Sequence, residues 1–278
     1  MKNKRRVIVV IVAAASIVFG CALLTLCIWL RASFLSADSP PEPSPAAPTP
    51  PPASAAPTPS LTPEPTPGPL IVIDPGHQLH GDPAPEPIGP GAQETKPRVS
   101  DGAQGVVTGV PEYEHNLAVS LLLRDELLAR GYRVLLTRGV NEVSLSNAER
   151  AEIANERQAA AFVRIHANAA DDPEARGIMT ICQTQENPYH PELYAQSRSL
   201  AEAVLDAMGA ALGYEEGDRV LWETDGMSGI NHALVPTVIV ETGYLSNPEE
   251  DRLLADPDYR ARIAAAIADG LDAWFAAG

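Results

Sequence analysis

His77, His166 and Glu241 each close a short apolar run. The runs are Ile71-Val72-Ile73-Asp74-Pro75-Gly76-His77, Phe162-Val163-Arg164-Ile165-His166 and Thr237-Val238-Ile239-Val240-Glu241. Imidazoles ligate divalent metals or shuttle protons, and carboxylates do both. A carboxylate directly after Val238-Ile239-Val240 is costly to bury unless it is paired or bound. Three strands ending in such residues are hard to explain by packing, whereas strand ends are where an open α/β sheet places its chemistry. The pattern predicts one polar site at one edge of a sheet.

The surrounding periodicities predict what holds these residues. Leu70 to Asp74 reads as a first strand, followed by a Gly/Pro-rich loop to about Pro111. Glu112 to Arg130 reads as a helix with Leu117, Leu121 and Leu128 on its apolar face, stopped at Gly131. Tyr132 to Thr137 is a second strand. Ser146-Asn147-Ala148-Glu149 has capping-box spacing and opens a helix to about Gln158. Ala161 to His166 and Gly177 to Gln183 are strands three and four, and Pro191 to Leu212 is a long helix ending at Gly213. Arg219 to Glu223 adds a short strand, Thr237 to Glu241 a buried one, and Pro257 to Ala276 a closing helix. Strands alternating with helices predict an α/β single domain with a central, largely parallel twisted sheet of about six strands flanked by helices. The stretch from Gln78 to Val110 exceeds the ~12–15 residues usual for structureless loops. It is expected to form a substrate-binding wall or a lid.

Only residues 69–278 have the composition of a folded domain. Residues 1–6 are basic through Lys2, Lys4, Arg5 and Arg6, and residues 7–30 are apolar and uncharged. That run meets the ~20 residues a transmembrane helix needs, and the basic flank predicts a cytoplasmic N-terminus. The competing reading, a cleaved signal peptide, normally has an apolar core of only about 7–15 residues. Residues 31–68 are rich in Pro, Ala, Ser and Thr, a composition that buries too little to fold and favours a semi-rigid spacer. The whole chain carries −16; residues 1–69 hold five basic and three acidic residues, leaving −18 for the domain. That balance argues against nucleic acid as a partner. Cys182 is alone in the domain, which excludes an intradomain disulfide; it is expected in the core.

Two histidines and a carboxylate are a common zinc set that leaves a fourth position for water. His77 and His166 supply the histidines, but no HExxH motif exists and spacing does not identify the third ligand. Glu112 and Glu114 both stand near the start of the first helix, within reach of the strand ends. The domain resembles the zinc-dependent N-acetylmuramoyl-L-alanine amidases typified by bacterial cell-wall autolysins. The resemblance is carried by Asp74-Pro75-Gly76-His77, Glu112-Tyr113-Glu114-His115-Asn116-Leu117, Leu136-Thr137-Arg138, Asn147-Ala148-Glu149-Arg150-Ala151, Ile165-His166-Ala167-Asn168 and Val240-Glu241-Thr242-Gly243-Tyr244-Leu245-Ser246-Asn247, in the family's order.

The resemblance implies one Zn2+ per domain held by His77, Glu112 and His166, with Glu114 as the fallback ligand and Glu241 as the catalytic acid/base. It implies hydrolysis of the amide between N-acetylmuramic acid and L-alanine in peptidoglycan. Asn168 is expected to orient the second histidine or to contact substrate. Arg138 and Arg150 are expected to tie strand and helix ends together, and Asp74 to position His77 or to cap the turn. His232, in a glycine-containing loop before the Glu241 strand, is either an exposed loop histidine or a residue that contacts substrate or helps stabilise a developing charge. Arg164 stands where the family often has Ser and shares the face of His166, so it bears on the site's charge. Gln78-Leu79 replaces the usual Gly-Gly. The expected partners are peptidoglycan and, through the N-terminal helix, the bacterial cytoplasmic membrane, with the monomeric catalytic domain on its outer side. Secretion after signal cleavage is the alternative location. The alternative functions are a zinc peptidase cutting within the stem peptide and a catalytically silent wall-binding or regulatory module.

Overall fold

The computed structural model describes residues 68–278. The expected cytoplasmic segment, membrane anchor and nearly all of the spacer lie outside the described residues. Among the described residues, no helix is long and apolar enough to cross a membrane.

Six strands form the central sheet: β1 (Leu70–Pro75), β4 (Arg133–Leu136), β5 (Ala161–Asn168), β6 (Ile178–Cys182), β7 (Arg219–Glu223) and β8 (Thr237–Tyr244). Their order is β4-β1-β5-β8-β6-β7. All neighbouring pairs are parallel except β6 with β8, so the sheet is mixed. The cause is the connection after β5. Residues 169–177 contain no helix, and a parallel crossover needs a dozen or more residues, usually including one.

Helices cover both faces. Helices α1 (Glu112–Ala129), α3 (Tyr194–Leu212) and α6 (Pro257–Ala277) pack on the face that carries Ile71, Ile73, Val163, Ile165, Val238 and Val240. The buried stripe of α1 is Val119, Leu123 and Leu127, while Leu128 is exposed and Leu117 and Leu121 are half-buried. This corrects the expected face: α1 is leucine-rich on several sides, and the contacts with β5 and α6, not the leucines, set its rotation. α1 ends where Gly131 takes φ 89° and Tyr132 N–H returns to Leu127 O. The opposite face carries α2 (Asn147–Glu156), whose Ala151 and Ala154 pack on Val72 and Phe162. The capping box at Ser146 and Glu149 is formed. Two short helices, α4 (Ser228–Asn231) and α5 (Pro248–Ala255), flank β8.

The stretch between β1 and α1 is not a structureless loop. It contains an antiparallel hairpin of β2 (Asp82–Pro87) and β3 (Thr95–Val99). The hairpin is pinned from outside: Asn231 Nδ2 donates to Ile88 O, Asn147 Nδ2 to Arg98 O, and Lys96 Nζ to Gly226 O. Arg98 also pairs with Glu149. It stands as a fixed wall.

Alternation along the strands sets the position of the site. Side chains two apart share a face, so Asp74 follows Val72, Arg164 and His166 follow Phe162, and Glu241 follows Ile239. All four polar groups therefore fall on the α2 face, past the apolar patch that α2 covers. The register places His166 opposite Glu241 and Asp74 opposite Arg164 on neighbouring strands.

Candidate metal centre

β1 ends in a turn where His77 takes φ 57°. A left-handed histidine costs roughly 1–3 kcal/mol and persists only where its surroundings impose it. They do so here. Arg150 Nη2 donates to His77 O, Arg150 Nη1 and Arg138 Nε both donate to Pro75 O, and Arg138 Nη2 donates to Gly76 O. Gly76 is required as well: a Cβ there would lie 2.2 Å from His166 Cε1. The bare backbone lets the two imidazoles meet edge to face, with ring centroids 4.9 Å apart.

Glu112 reaches this pair from the first turn of α1. Its Oε1 lies 3.1 Å from His77 Nε2 and 3.1 Å from His166 Nδ1. Ala167 N–H and Asn116 Nδ2 also donate to Oε1, and Ala103 N–H to Oε2. His77 Nδ1 faces Ser100 O at 2.9 Å. A carbonyl only accepts, so Nδ1 carries a proton, and a metal would take the place of the Nε2 proton that faces Glu112.

Burial and charge act together on these groups. Burial disfavours the Glu112 carboxylate, but hydrogen bonds from His166 and His77 outweigh it and hold the carboxyl well below its usual range. Burial also opposes charge on His77, yet its bond to Glu112 raises it above the ordinary value. In His166 burial wins and pushes the imidazole down to about 4, against the pull of Glu112. A neutral imidazole, an ionised carboxylate and a second imidazole held in place through its Nδ1 are suited to hold a metal.

The fit to a cation is specific. The donor atoms of His77, Glu112 and His166 all lie within 4.8 Å of one another. Two ligands of a tetrahedral zinc at ~2.0–2.1 Å stand about 3.3 Å apart, close to the two separations at Glu112. Two buried atoms, His166 Nε2 and Glu241 Oε2, have no hydrogen-bond partner among the described residues. Burial pushes the Glu241 carboxyl up to about 8, with the charge of Glu112 adding and that of Arg164 opposing. Glu114 is exposed and is not in the cluster.

The remaining expected residues separate into two groups. Asn168, at the end of β5, lines the cleft beside Glu112, His166 and Glu241, and its Oδ1 accepts from Ala169 N–H. His232 stands apart, its Nε2 3.0 Å from Pro87 O at the hairpin. Arg138 and Arg150 lie beneath the centre as backbone clamps. Arg164 joins them: its Nε donates to Asp74 Oδ2 at 2.9 Å and its Nη2 to Asn147 Oδ1 at 2.8 Å.

Several supports were not read from sequence. Ser100 and Ala103 act through backbone atoms, which leave no residue-type signal. Asn116, one turn after Glu112, had a signal in the i, i+4 spacing. The buried His115 places Nδ1 against Leu254 O and Nε2 2.8 Å from Thr242 Oγ1, which donates to His166 O.

Known proteins share this arrangement of elements. A family model described as N-acetylmuramoyl-L-alanine amidase matches residues 71–273. The chain is 31% identical over 211 residues to the N-acetylmuramoyl-L-alanine amidase LytC of Bacillus subtilis, covering 76% of this chain and 36% of that protein. It is 30% identical over 223 residues to the N-acetylmuramoyl-L-alanine amidase Rv3717 of Mycobacterium tuberculosis, covering 78% and 90%. It spans 55% of the amidase AmiC of Neisseria meningitidis, so some relatives extend well beyond the shared part. The crystal structure of the N-acetylmuramyl-L-alanine amidase Ami1 from Mycobacterium smegmatis superposes with a TM-score of 0.68 at 28% identity, covering 76% of this chain and 98% of that one. The match runs from β1 to α6 and takes in every residue of the His77–Glu112–His166 cluster, and on it this chain belongs to the N-acetylmuramoyl-L-alanine amidase family.

Proposed function

We propose that the protein hydrolyses the amide joining the lactyl group of N-acetylmuramic acid to the L-alanine of the peptidoglycan stem peptide. His77, Glu112 and His166 hold one Zn2+. The observation that carries this reading is the His77–Glu112–His166 cluster beside Glu241, whose Oε2 has no partner among the described residues. When bound, zinc supplies Lewis acidity toward the water and the amide carbonyl. Glu241 takes the proton of the attacking water as the C–O bond forms. It returns a proton to the alanine nitrogen as the C–N bond breaks, leaving a lactyl carboxylate and a free N-terminal alanine. The raised carboxyl of Glu241 suits both halves of that cycle. Ser100 O keeps His77 in the required tautomer, and Asn116 with the backbone of Ala103 and Ala167 keeps Glu112 aimed. The pinned hairpin and the loop at Gly226 wall the cleft.

The apolar residues 7–30 anchor the chain in the cytoplasmic membrane, and residues 31–68 hold the monomeric domain off its outer face. The test is to incubate the full-length protein in detergent with purified peptidoglycan and identify the new termini. The expected result is N-terminal alanine, abolished by chelation and by Glu241→Ala. Termini elsewhere in the stem peptide would make the protein a peptidase. No new termini from a zinc-loaded protein would make it a binding module.

A further inference from the structure

The domain carries −18, yet one arm of its cleft is basic. A cavity of about 310 Å3 opens from His77, His166 and Glu241 and continues between β3 and the loop before α4, where Lys96, Arg164 and Met227 line it. Lys96 is the single lysine of residues 69–278. It is exposed, its Nζ is held by Gly226 O at 2.6 Å, and it makes no ion pair among the described residues. Arg164 is buried and lines the same cavity. Its Nε and Nη2 are engaged by Asp74 and Asn147, while Nη1 has no hydrogen-bond partner among the described residues. The absence of a side chain at Gly229 clears space for that nitrogen, since a Cβ there would stand 2.0 Å from it.

The carboxylates nearby do not cancel these cations. Asp74 is shared between Arg150 and Arg164, so that buried cluster retains a net positive charge. Asp225 is occupied by Thr184 and Asn187, and Glu149 by Arg98 and the capping box. Glu112 belongs to the metal cluster, and Glu241, which lines the same cavity as Arg164, belongs to the reacting centre. Lys96, which has no ion pair among the described residues, and Arg164, whose Nη1 is left over beyond its pair with Asp74, both line the cavity that ends at the reacting centre and together form a receptor for an anion.

We infer that Lys96 and Arg164 recognise a free carboxylate on the stem peptide, placed one or two residues beyond the alanine whose bond is cut, and make the protein selective for the un-amidated peptide. The inference rests on the proposed amidase reading, which sets the cut bond at Glu241 and so points the peptide along this arm. The carboxylate belongs either to the α-carboxyl of the second residue or to a carboxyl of the third. Arg164 supplies a fixed, desolvated donor and Lys96 an exposed charge at the rim.

The test uses the full-length, zinc-loaded protein carrying Glu241→Ala. Calorimetry would measure its affinity for three muramoyl tripeptides: both carboxyls free, the second-residue α-carboxyl amidated, or the third-residue carboxyl amidated. Amidating the recognised carboxylate should weaken binding at least threefold, and which peptide responds names the source. Adding Lys96→Met should weaken the free peptide about three- to fivefold, the size expected for an exposed charge pair, and should remove most of the discrimination. Lys96→Arg should restore it. Equal affinity for all three peptides, equal weakening of all three by Lys96→Met, or no binding at all would overturn the inference. Discrimination between the peptides by a protein that releases no N-terminal alanine from peptidoglycan would overturn the amidase reading and leave this one standing. Release without discrimination would do the reverse.

Discussion

Two polar clusters lie side by side at the ends of β1, β5 and β8, and they are built on opposite rules. Around Asp74 both carboxylate oxygens are met: Thr137 Oγ1 donates at 2.5 Å, Arg150 Nη1 at 2.7 Å and Arg164 Nε at 2.9 Å, with all these groups buried. Around Glu112 the donors converge on one point, while His166 Nε2 and Glu241 Oε2 stay without partners among the described residues. A satisfied buried network holds geometry, whereas an unsatisfied one is held ready for something that arrives. The first cluster imposes the left-handed His77 and the carbonyl positions on which the second depends.

The largest way to break this contrast is at Asp74. Asp74→Asn would leave two buried guanidinium groups facing an amide, and a loss of about 3–5 kcal/mol is expected for an uncompensated buried charge. Denaturant unfolding measures it, and a loss under about 1 kcal/mol would remove the clamp from the account. The same residue sets an acid limb. Burial alone would raise its carboxyl, but Arg150, Arg164 and Thr137 outweigh burial and depress it far below the ordinary carboxylate range. The folded pKa lies below the unfolded value of about 3.9. The contribution is therefore complete above that pH and is lost as pH falls below it. Asp74→Asn should flatten that limb of the stability profile.

A smaller break separates positioning from stability at the second cluster. Gly76→Ala puts a methyl into the His166 ring and should cost about 10–100-fold in zinc affinity, the range for disturbed ligand orientation. Competition with a fluorescent chelator reads it. Unchanged affinity would mean that the ring has room to move without consequence. The smallest expected effect lies outside both clusters: Ser146→Ala removes the helix cap of α2 and should cost about 1 kcal/mol while leaving zinc affinity unchanged. A parallel fall in zinc affinity would show that α2 transmits strain to the centre.

The legibility of these features follows the same division. β1, β5 and β8 are apolar runs that stop at a polar residue, so they and His77, His166 and Glu241 could be located from pattern alone. Glu112 could not, because it comes from a helix packed across the chain and only the family resemblance selected it over Glu114. The β2–β3 hairpin escaped because Asp82–Pro87 and Thr95–Val99 are rich in proline and charge and show no alternation of apolar residues. Asn147, Gly226 and Asn231, all distant in sequence, hold it in place. The antiparallel β6 was legible in principle, since residues 169–177 are too few for a crossover. Arg164 could be placed on the His166 face by counting, but its partner Asp74 lies 90 residues away in the chain.

The most direct test of the account is zinc content and N-terminal alanine release measured together on the full-length protein, on Glu241→Gln and on His166→Ala. The account predicts one zinc per chain in the first two. It also predicts full-rate release by the unaltered protein, release slower by about 10²–10⁴-fold in Glu241→Gln as expected for loss of a general acid/base, and neither zinc nor release in His166→Ala. A Glu241→Gln protein that keeps full activity, or a His166→Ala protein that keeps its zinc, would contradict the division between a metal held by His77, Glu112 and His166 and chemistry performed by Glu241.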